Sequence, residues 1–109
     1  MRSISVVVPV YNSAPSLPEL AARLAAVLPT VSEQYELILV EDDSRDRSWD
    51  VIRELAEQYP WVRGLKLMRN SGQHNALLCG IREARYPVIV TLDDDLQHPP
   101  EEIPTLLAK

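Results

Sequence analysis

Four short runs of mainly β-branched and aliphatic residues recur along the chain: SISVVVPV (3–10), YELILV (35–40), VRGLKLM (62–68) and PVIVTL (87–92). Each is followed by a segment with helical spacing of apolar residues. This alternation constrains the fold more than any other feature. Near-continuous apolar runs of strand length read as strands covered on both faces. In LPELAARLAAVLPT (17–30), Leu17, Leu20, Ala21, Leu24 and Leu28 share one helical face, and Pro29 marks the end. In SWDVIRELAEQY (48–59) the stripe is Trp49, Ile52, Leu55 and Ala56, with Pro60 as the stop. GQHNALLCGIREARY (72–86) turns Ala76, Leu77, Gly80 and Ile81 inward, and an interior glycine predicts close packing on the sheet. PPEEIPTLLAK (99–109) begins a fourth helix, with Pro, Glu101 and Glu102 suited to its first turn.

Strands alternating with helices imply right-handed βαβ units and a mainly parallel sheet with helices on both faces. The predicted strand order is 3-2-1-4, with the winding reversing between strands 1 and 4. In such sheets ligands bind beyond the carboxyl ends of the strands, at the switch point. The residues after each strand are therefore the informative ones: PVYNS, EDDSRD, RNSGQH and DDDLQHPP. Ser13, Ser44 and Arg47 read as solvated loop residues.

The acids do not read that way. The chain has a net charge of -5, with acids grouped at 41–43, 46, 93–95 and 101–102. Strands 2 and 4 flank strand 1, so their acidic ends lie roughly 10 Å apart. Gathering carboxylates over one crevice is costly unless a cation or strong donors meet them. The acidic balance also argues against a nucleic-acid partner, which needs clustered Lys and Arg. The one cysteine, Cys79, allows no internal disulfide and reads as a small packing residue of the third helix. No apolar stretch is long enough to cross a membrane, and the opening residues do not have the pattern of a signal peptide.

With only Gly64, Gly72 and Gly80 present, neither a GxGxxG fingerprint nor a Walker P-loop exists. A nucleotide diphosphate would need another source of positive charge, and a cation held by aspartates is the natural one. If the strand pleat continues, Asp93 and Asp95 face one side and Asp94 the other. The resulting D-x-D, with Gln97 two residues on, offers hard oxygen ligands suited to Mg²⁺ or Mn²⁺. His98 beside it is a further candidate contact for the diphosphate. His74, Trp49 and Trp61 read as structural residues.

Four segments in order, VVVPVYN, LILVEDDSRD, LMRNSGQHNALLCG and VIVTLDDDLQHPPEEIP, resemble the family-two glycosyltransferases of GT-A fold. Within them the similarity is to the polyprenyl-phosphate sugar transferases, which include dolichol-phosphate mannose synthase and the undecaprenyl-phosphate aminoarabinose transferases. It covers essentially the whole chain. It implies a Rossmann-like nucleotide-binding αβ sandwich and transfer of a sugar, with inversion, from a UDP- or GDP-type nucleotide sugar. Pro9, Tyr11 and Asn12 match the first-strand motif, whose aromatic ring lies along the base. Asp42 matches the second acid of a pair that reads base or ribose; Glu41 and Asp43 depart from the commoner residues there. Arg69, Asn70, Gly72 and Gln73 match the third loop, near the nucleotide. Asp93, Asp95 and Gln97 match the metal motif. Asp94 holds its middle place, where relatives often have Ala, and is grouped with the nucleotide-sugar residues. A metal pair shifted by one residue is the alternative.

The same resemblance implies a polyprenyl-phosphate acceptor. It makes residues 1–109 the donor-binding part of a longer enzyme, with the acceptor half and the catalytic base beyond Lys109. The chain itself is expected to be cytoplasmic, and the longer enzyme to sit at the cytoplasmic face of a membrane. The part alone is expected to transfer little sugar, and the alternative reading is a nucleotide-sugar and metal binding module without activity. An open sheet edge suggests a homodimer.

Overall fold

The computed structural model describes residues 2–69, 71–97 and 99–107. Its elements are β1 (Arg2–Val10), α1 (Leu17–Val31), β2 (Ser32–Glu41), α2 (Ser48–Gln58), β3 (Val62–Lys66), α3 (Gln73–Glu83) and β4 (Val88–Thr91). A single 3₁₀ turn (Pro100–Glu102) then leads into α4 (Ile103–Leu107). The sheet order is β3-β2-β1-β4, as the alternation predicts. All three pairings are parallel: Val6 stands beside Leu37 on one side and Val90 on the other, and Leu39 stands beside Gly64.

The pleat of β1 divides the core in two. Ile4, Val6, Val8 and Val10 point to one face and pack with Leu20, Leu24 and Leu28 of α1 and with Ile52 and Leu55 of α2. Val7 points to the other face, where it meets Ile38, Val40 and Ala76 under α3. Helices therefore cover both faces, which is why β1 and the end of β2 are apolar at successive positions rather than alternately.

Gly80 explains how closely α3 lies on the sheet. A Cβ there would sit 2.3 Å from Val7 Cγ1 and 2.9 Å from Val40 Cγ2, so only a glycine allows this approach. The close packing predicted from the sequence is thus present. Cys79 is partly buried in the same layer.

Element ends differ from the sequence expectations by local chemistry. Pro29 does not end α1, which runs to Val31 with Pro29 inside its last turns, where the ring removes one helical N–H donor. The fourth strand is shorter than 87–92, closing at Thr91. The last helix opens as a 3₁₀ turn rather than as one α-helix from residue 99. Among the described residues no helix is long and apolar enough to cross a membrane.

Candidate functional site

At the carboxyl ends of the strands lies an open cavity of about 430 Å³. Its walls are Pro9, Val10 and Tyr11 after β1, Asp42 after β2, Gly72 and Gln73 at the start of α3, and Asp93, Asp94, Asp95 and Gln97 after β4. All four strand exits contribute, and among the described residues each loop carries one backbone with positive φ. These are Asn12 (φ 51°), Asp43 (φ 58°), Gly72 (φ 87°) and Leu96 (φ 65°). Asn, Asp and Gly adopt that region most readily; a leucine there costs roughly 1 kcal/mol. At Leu96 the turn sends an apolar side chain against the core while its neighbours Asp95 and Gln97 line the cavity. Such strain persists where surrounding contacts over-determine it, and functional loops are where it gathers.

The loops are tied together mostly by side chains that accept backbone N–H groups. Asn12 donates its N–H to Ser44 Oγ at 2.9 Å, and its Oδ1 accepts the Arg45 N–H at 2.9 Å. The Ser13 N–H reaches Ser48 Oγ at 3.0 Å. Asp46 accepts the Ala14 N–H at 3.1 Å and the Ser48 N–H at 2.9 Å. Burial would raise the Asp46 pKa, but the bonds from Ser48 and Ala14 outweigh it and leave the carboxyl below its ordinary range.

Asp42 is 3% exposed. Its own N–H donates to Val10 O at 2.9 Å, and its Oδ1 accepts the Ser71 N–H at 2.7 Å. It therefore joins the ends of β1 and β2 to the loop after β3. Its neighbour Glu41 is fully buried, pairs with Lys66 Nζ at 3.4 Å and accepts the Ser44 N–H. Beside them Tyr11 is 44% exposed, so its ring is open to a flat ligand.

One geometric expectation is corrected. Asp94 does not face away from the crevice: all three aspartates line the cavity. The alternation argument assumed a pleat through residue 95, but β4 ends at Thr91 and residues 94–95 form a turn. Asp94 Oδ2 accepts the Tyr11 N–H at 2.9 Å and the Ser13 hydroxyl at 2.5 Å. Asp95 Oδ1 accepts the Gln97 N–H at 3.1 Å, and Gln73 Nε2 approaches Asp93 Oδ1 at 3.5 Å.

Of the residues singled out in the sequence, Pro9, Tyr11, Asp42, Gly72, Gln73, Asp93, Asp94, Asp95 and Gln97 come together on this cavity. Asn12 instead pins the loop after β2 from behind. Arg69 is exposed and is not among the lining residues. Asn70 and His98 lie outside the described residues. Sequence reasoning missed Val10 as a wall. It also misread Ser13 and Ser44, set aside as solvated but in fact holding the loops. Serines in loops carry no signal of their own; only their partners, 32 to 81 residues away, reveal them.

A divalent cation fits the donor chemistry here, since Asp93, Asp95 and Gln97 present hard oxygens on one wall. Among the described residues, however, no three His, Cys, Asp or Glu side chains converge into a ready cage. Such an ion would need further oxygens from its ligand, as Mg²⁺ held through one or two carboxylates usually does.

A parallel 3-2-1-4 sheet covered by helices, with a crevice at its switch point, is the arrangement of the GT-A fold. Solved structures of similar fold bear this out. One is mannosyltransferase PcManGT from Pyrobaculum calidifontis in complex with GDP-Man and Mn²⁺ (TM-score 0.81, 24% identity, covering 93% of this chain and 30% of that one). Another is S. aureus TarS 1–349 in complex with UDP-GlcNAc (TM-score 0.75, 25% identity, covering 85% of this chain and 26% of that one). The chain belongs to glycosyl transferase family 2, whose model matches residues 5–109. Among curated relatives, the undecaprenyl-phosphate 4-deoxy-4-formamido-L-arabinose transferase of Shewanella sediminis is 50% identical over 107 residues, covering 97% of this chain and 32% of the relative. That of Klebsiella pneumoniae is 46% identical over 110 residues, covering 100% and 34%. The chain spans about a third of the length of these relatives.

Proposed function

We propose that residues 1–109 are the donor-binding part of a metal-dependent glycosyltransferase. It moves a sugar from a nucleotide diphosphate sugar to a polyprenyl phosphate, with inversion at the anomeric carbon. The observation that carries this is the cavity in which Tyr11, Asp42 and the Asp93–Asp95 turn face one another at the switch point of the sheet. The polyprenyl-phosphate acceptor is supported by the relatives' names, and a lipid-borne acceptor suits a longer enzyme that works at the cytoplasmic face of a membrane.

In this reading Tyr11 offers its exposed ring to the base, and Pro9 shapes the floor beneath. Asp42, held by the Ser71 N–H, presents its carboxylate edge to base or ribose. Gly72, with no side chain at the mouth of α3, lets the diphosphate approach that helix start, and Gln73 flanks it. Asn12 keeps the second loop in place, and Arg69 and Asn70 belong to the loop nearest the nucleotide. Asp93, Asp95 and Gln97 would hold Mg²⁺ or Mn²⁺ jointly with the diphosphate. The bound ion would neutralise charge developing on the leaving nucleotide diphosphate. The acceptor phosphate oxygen attacks from the face opposite the diphosphate; being ionised already, it needs less help from a base than a sugar hydroxyl does.

The test is calorimetric titration of the chain with UDP and with GDP, each with and without Mn²⁺. Binding that depends on Mn²⁺ is the expected result, and no binding of either nucleotide would sink the reading. A transfer assay with undecaprenyl phosphate then separates an enzyme part that needs its remaining length from a module that binds without turnover.

A further inference from the structure

Asp94 stands between the two proposed cation ligands, yet one of its carboxylate oxygens and its backbone carbonyl are engaged within the protein. Its Oδ2 accepts both the Tyr11 N–H at 2.9 Å and the Ser13 hydroxyl at 2.5 Å, and its backbone carbonyl accepts the Ser16 hydroxyl at 2.5 Å. The Ser13 hydroxyl is also 3.0 Å from Tyr11 O, but it has one proton, and the shorter contact with a charged acceptor takes it. Three bonds thus join residues 11–16 to the 93–95 turn.

No strand pairing makes this connection. The β1–β4 register ends at Val7 and Thr91, with one further bond from Leu92 N–H to Val7 O. Beyond that point the two loops would be free to separate, and each contains a left-handed residue, Asn12 and Leu96. The Asp94 contacts continue the link where the ladder stops. They fix Tyr11 relative to Asp93 and Asp95 across one cavity.

We propose that Asp94 is a positioning residue that acts as a hydrogen-bond acceptor, locking the Tyr11 loop against the aspartate turn, and not as a cation ligand. This rests on reading the cavity as a nucleotide-diphosphate and cation site. One consequence separates it from the alternative. A single oxygen takes both side-chain bonds, so an amide oxygen can replace it. Asp94→Asn keeps both side-chain bonds, whereas Asp94→Ala removes them and leaves only the Ser16 bond to the backbone carbonyl. A cation ligand would suffer from both changes.

The experiment measures UDP and GDP binding in the presence of Mn²⁺, together with amide exchange at Tyr11, for wild type, D94N, D94A, S13A and S13A/D94A. D94A should bind about tenfold more weakly and exchange the Tyr11 amide about tenfold faster, as loss of bonds to a charged acceptor implies. D94N should stay within about twofold of wild type. S13A should show part of the loss, and the double variant no more than D94A alone, because the two groups share one bond. D94N as weak as D94A, or D94A binding and exchanging like wild type, overturns the proposal. Should D94A fail to fold, the contrast of S13A (weakened) with D94N (retained) carries the test. If the wild type binds neither nucleotide with Mn²⁺, the reading of the cavity fails. The lock is then judged on exchange alone: faster in D94A and unchanged in D94N supports it, and equal rates in all three overturn it.

Discussion

The two ends of the sheet both hold carboxylates, and they treat them differently. At the amino end, Glu36 on β2 is 3% exposed and is surrounded by donors. Its Oε2 accepts the Ser5 hydroxyl at 2.6 Å and the Arg85 N–H at 2.7 Å, and its Oε1 meets Arg63 Nε and Nη2 at 3.1 Å. Burial would raise its pKa, but the Arg85 N–H, Ser5 and Arg63 together hold it below the ordinary value. At the carboxyl end, Asp93, Asp94 and Asp95 stand side by side on a cavity wall with no Arg or Lys among the lining residues. The first arrangement completes a structure. The second lines an open cavity with three neighbouring carboxylates, an arrangement that a cation entering there would favour. The two sets of acids thus differ both in burial and in the donors around them.

Measurements at four positions would break or sharpen this contrast. The largest effect is expected for Glu36→Ala, which takes the charge partner from Arg63 and leaves the buried Ser5 hydroxyl without its acceptor. Urea denaturation should show a loss of about 3 kcal/mol. The same carboxyl predicts an acid dependence. Its folded pKa is depressed, so its stabilisation is complete above the unfolded value near 4.5 and is lost as pH falls through the folded value. Glu36→Gln should flatten that part of the pH profile; an unchanged profile would mean Glu36 is not the group responsible.

Next is Gly80→Ala, because α3 runs from the cavity at Gln73 to the Glu36 network near Arg85. A methyl 2.3 Å from Val7 must push the helix away. A loss of about 1–2 kcal/mol in the thermal melt is expected, net of the gain in helix propensity, with both ends disturbed together. A neutral result would show that the sheet yields there.

Asp95→Ala should do the reverse of Glu36→Ala. Stability should stay within about 0.5 kcal/mol, while Mn²⁺-dependent UDP or GDP binding weakens at least about tenfold, or roughly 1.4 kcal/mol. A large loss of stability instead would place Asp95 with Glu36 as a structural acid. The smallest effect is expected at Arg47, whose side chain is 73% exposed and lies 3.7 Å from both Asp50 and Glu54. Arg47→Ala should change the melting midpoint by less than about 0.5 kcal/mol allows.

Much of this was legible beforehand because it rests on local pattern. The β-branched runs and the helical stripes are set by neighbours within a few residues, and they carried the strand order and the position of the crevice. Gly80 was legible because a glycine inside a helix needs a reason. Nine of the thirteen residues singled out for the site line the cavity, and two more lie outside the described residues; loops that follow parallel strands gather at one end whatever their details. The errors came where a local rule was carried past its domain. Period-two alternation fails at Asp94 because β4 has already ended.

The sequence by itself determined the βαβ order, the two-faced core and the grouping of acids beyond the strands, because periodicity and chain connectivity act at short range. Only the tertiary structure decided which acid serves which purpose. Glu36 meets Arg63 27 residues away, and Asp94 meets Tyr11 83 residues away. A carboxylate's role is set by the donors that folding brings to it, and no spacing along the chain encodes those partners.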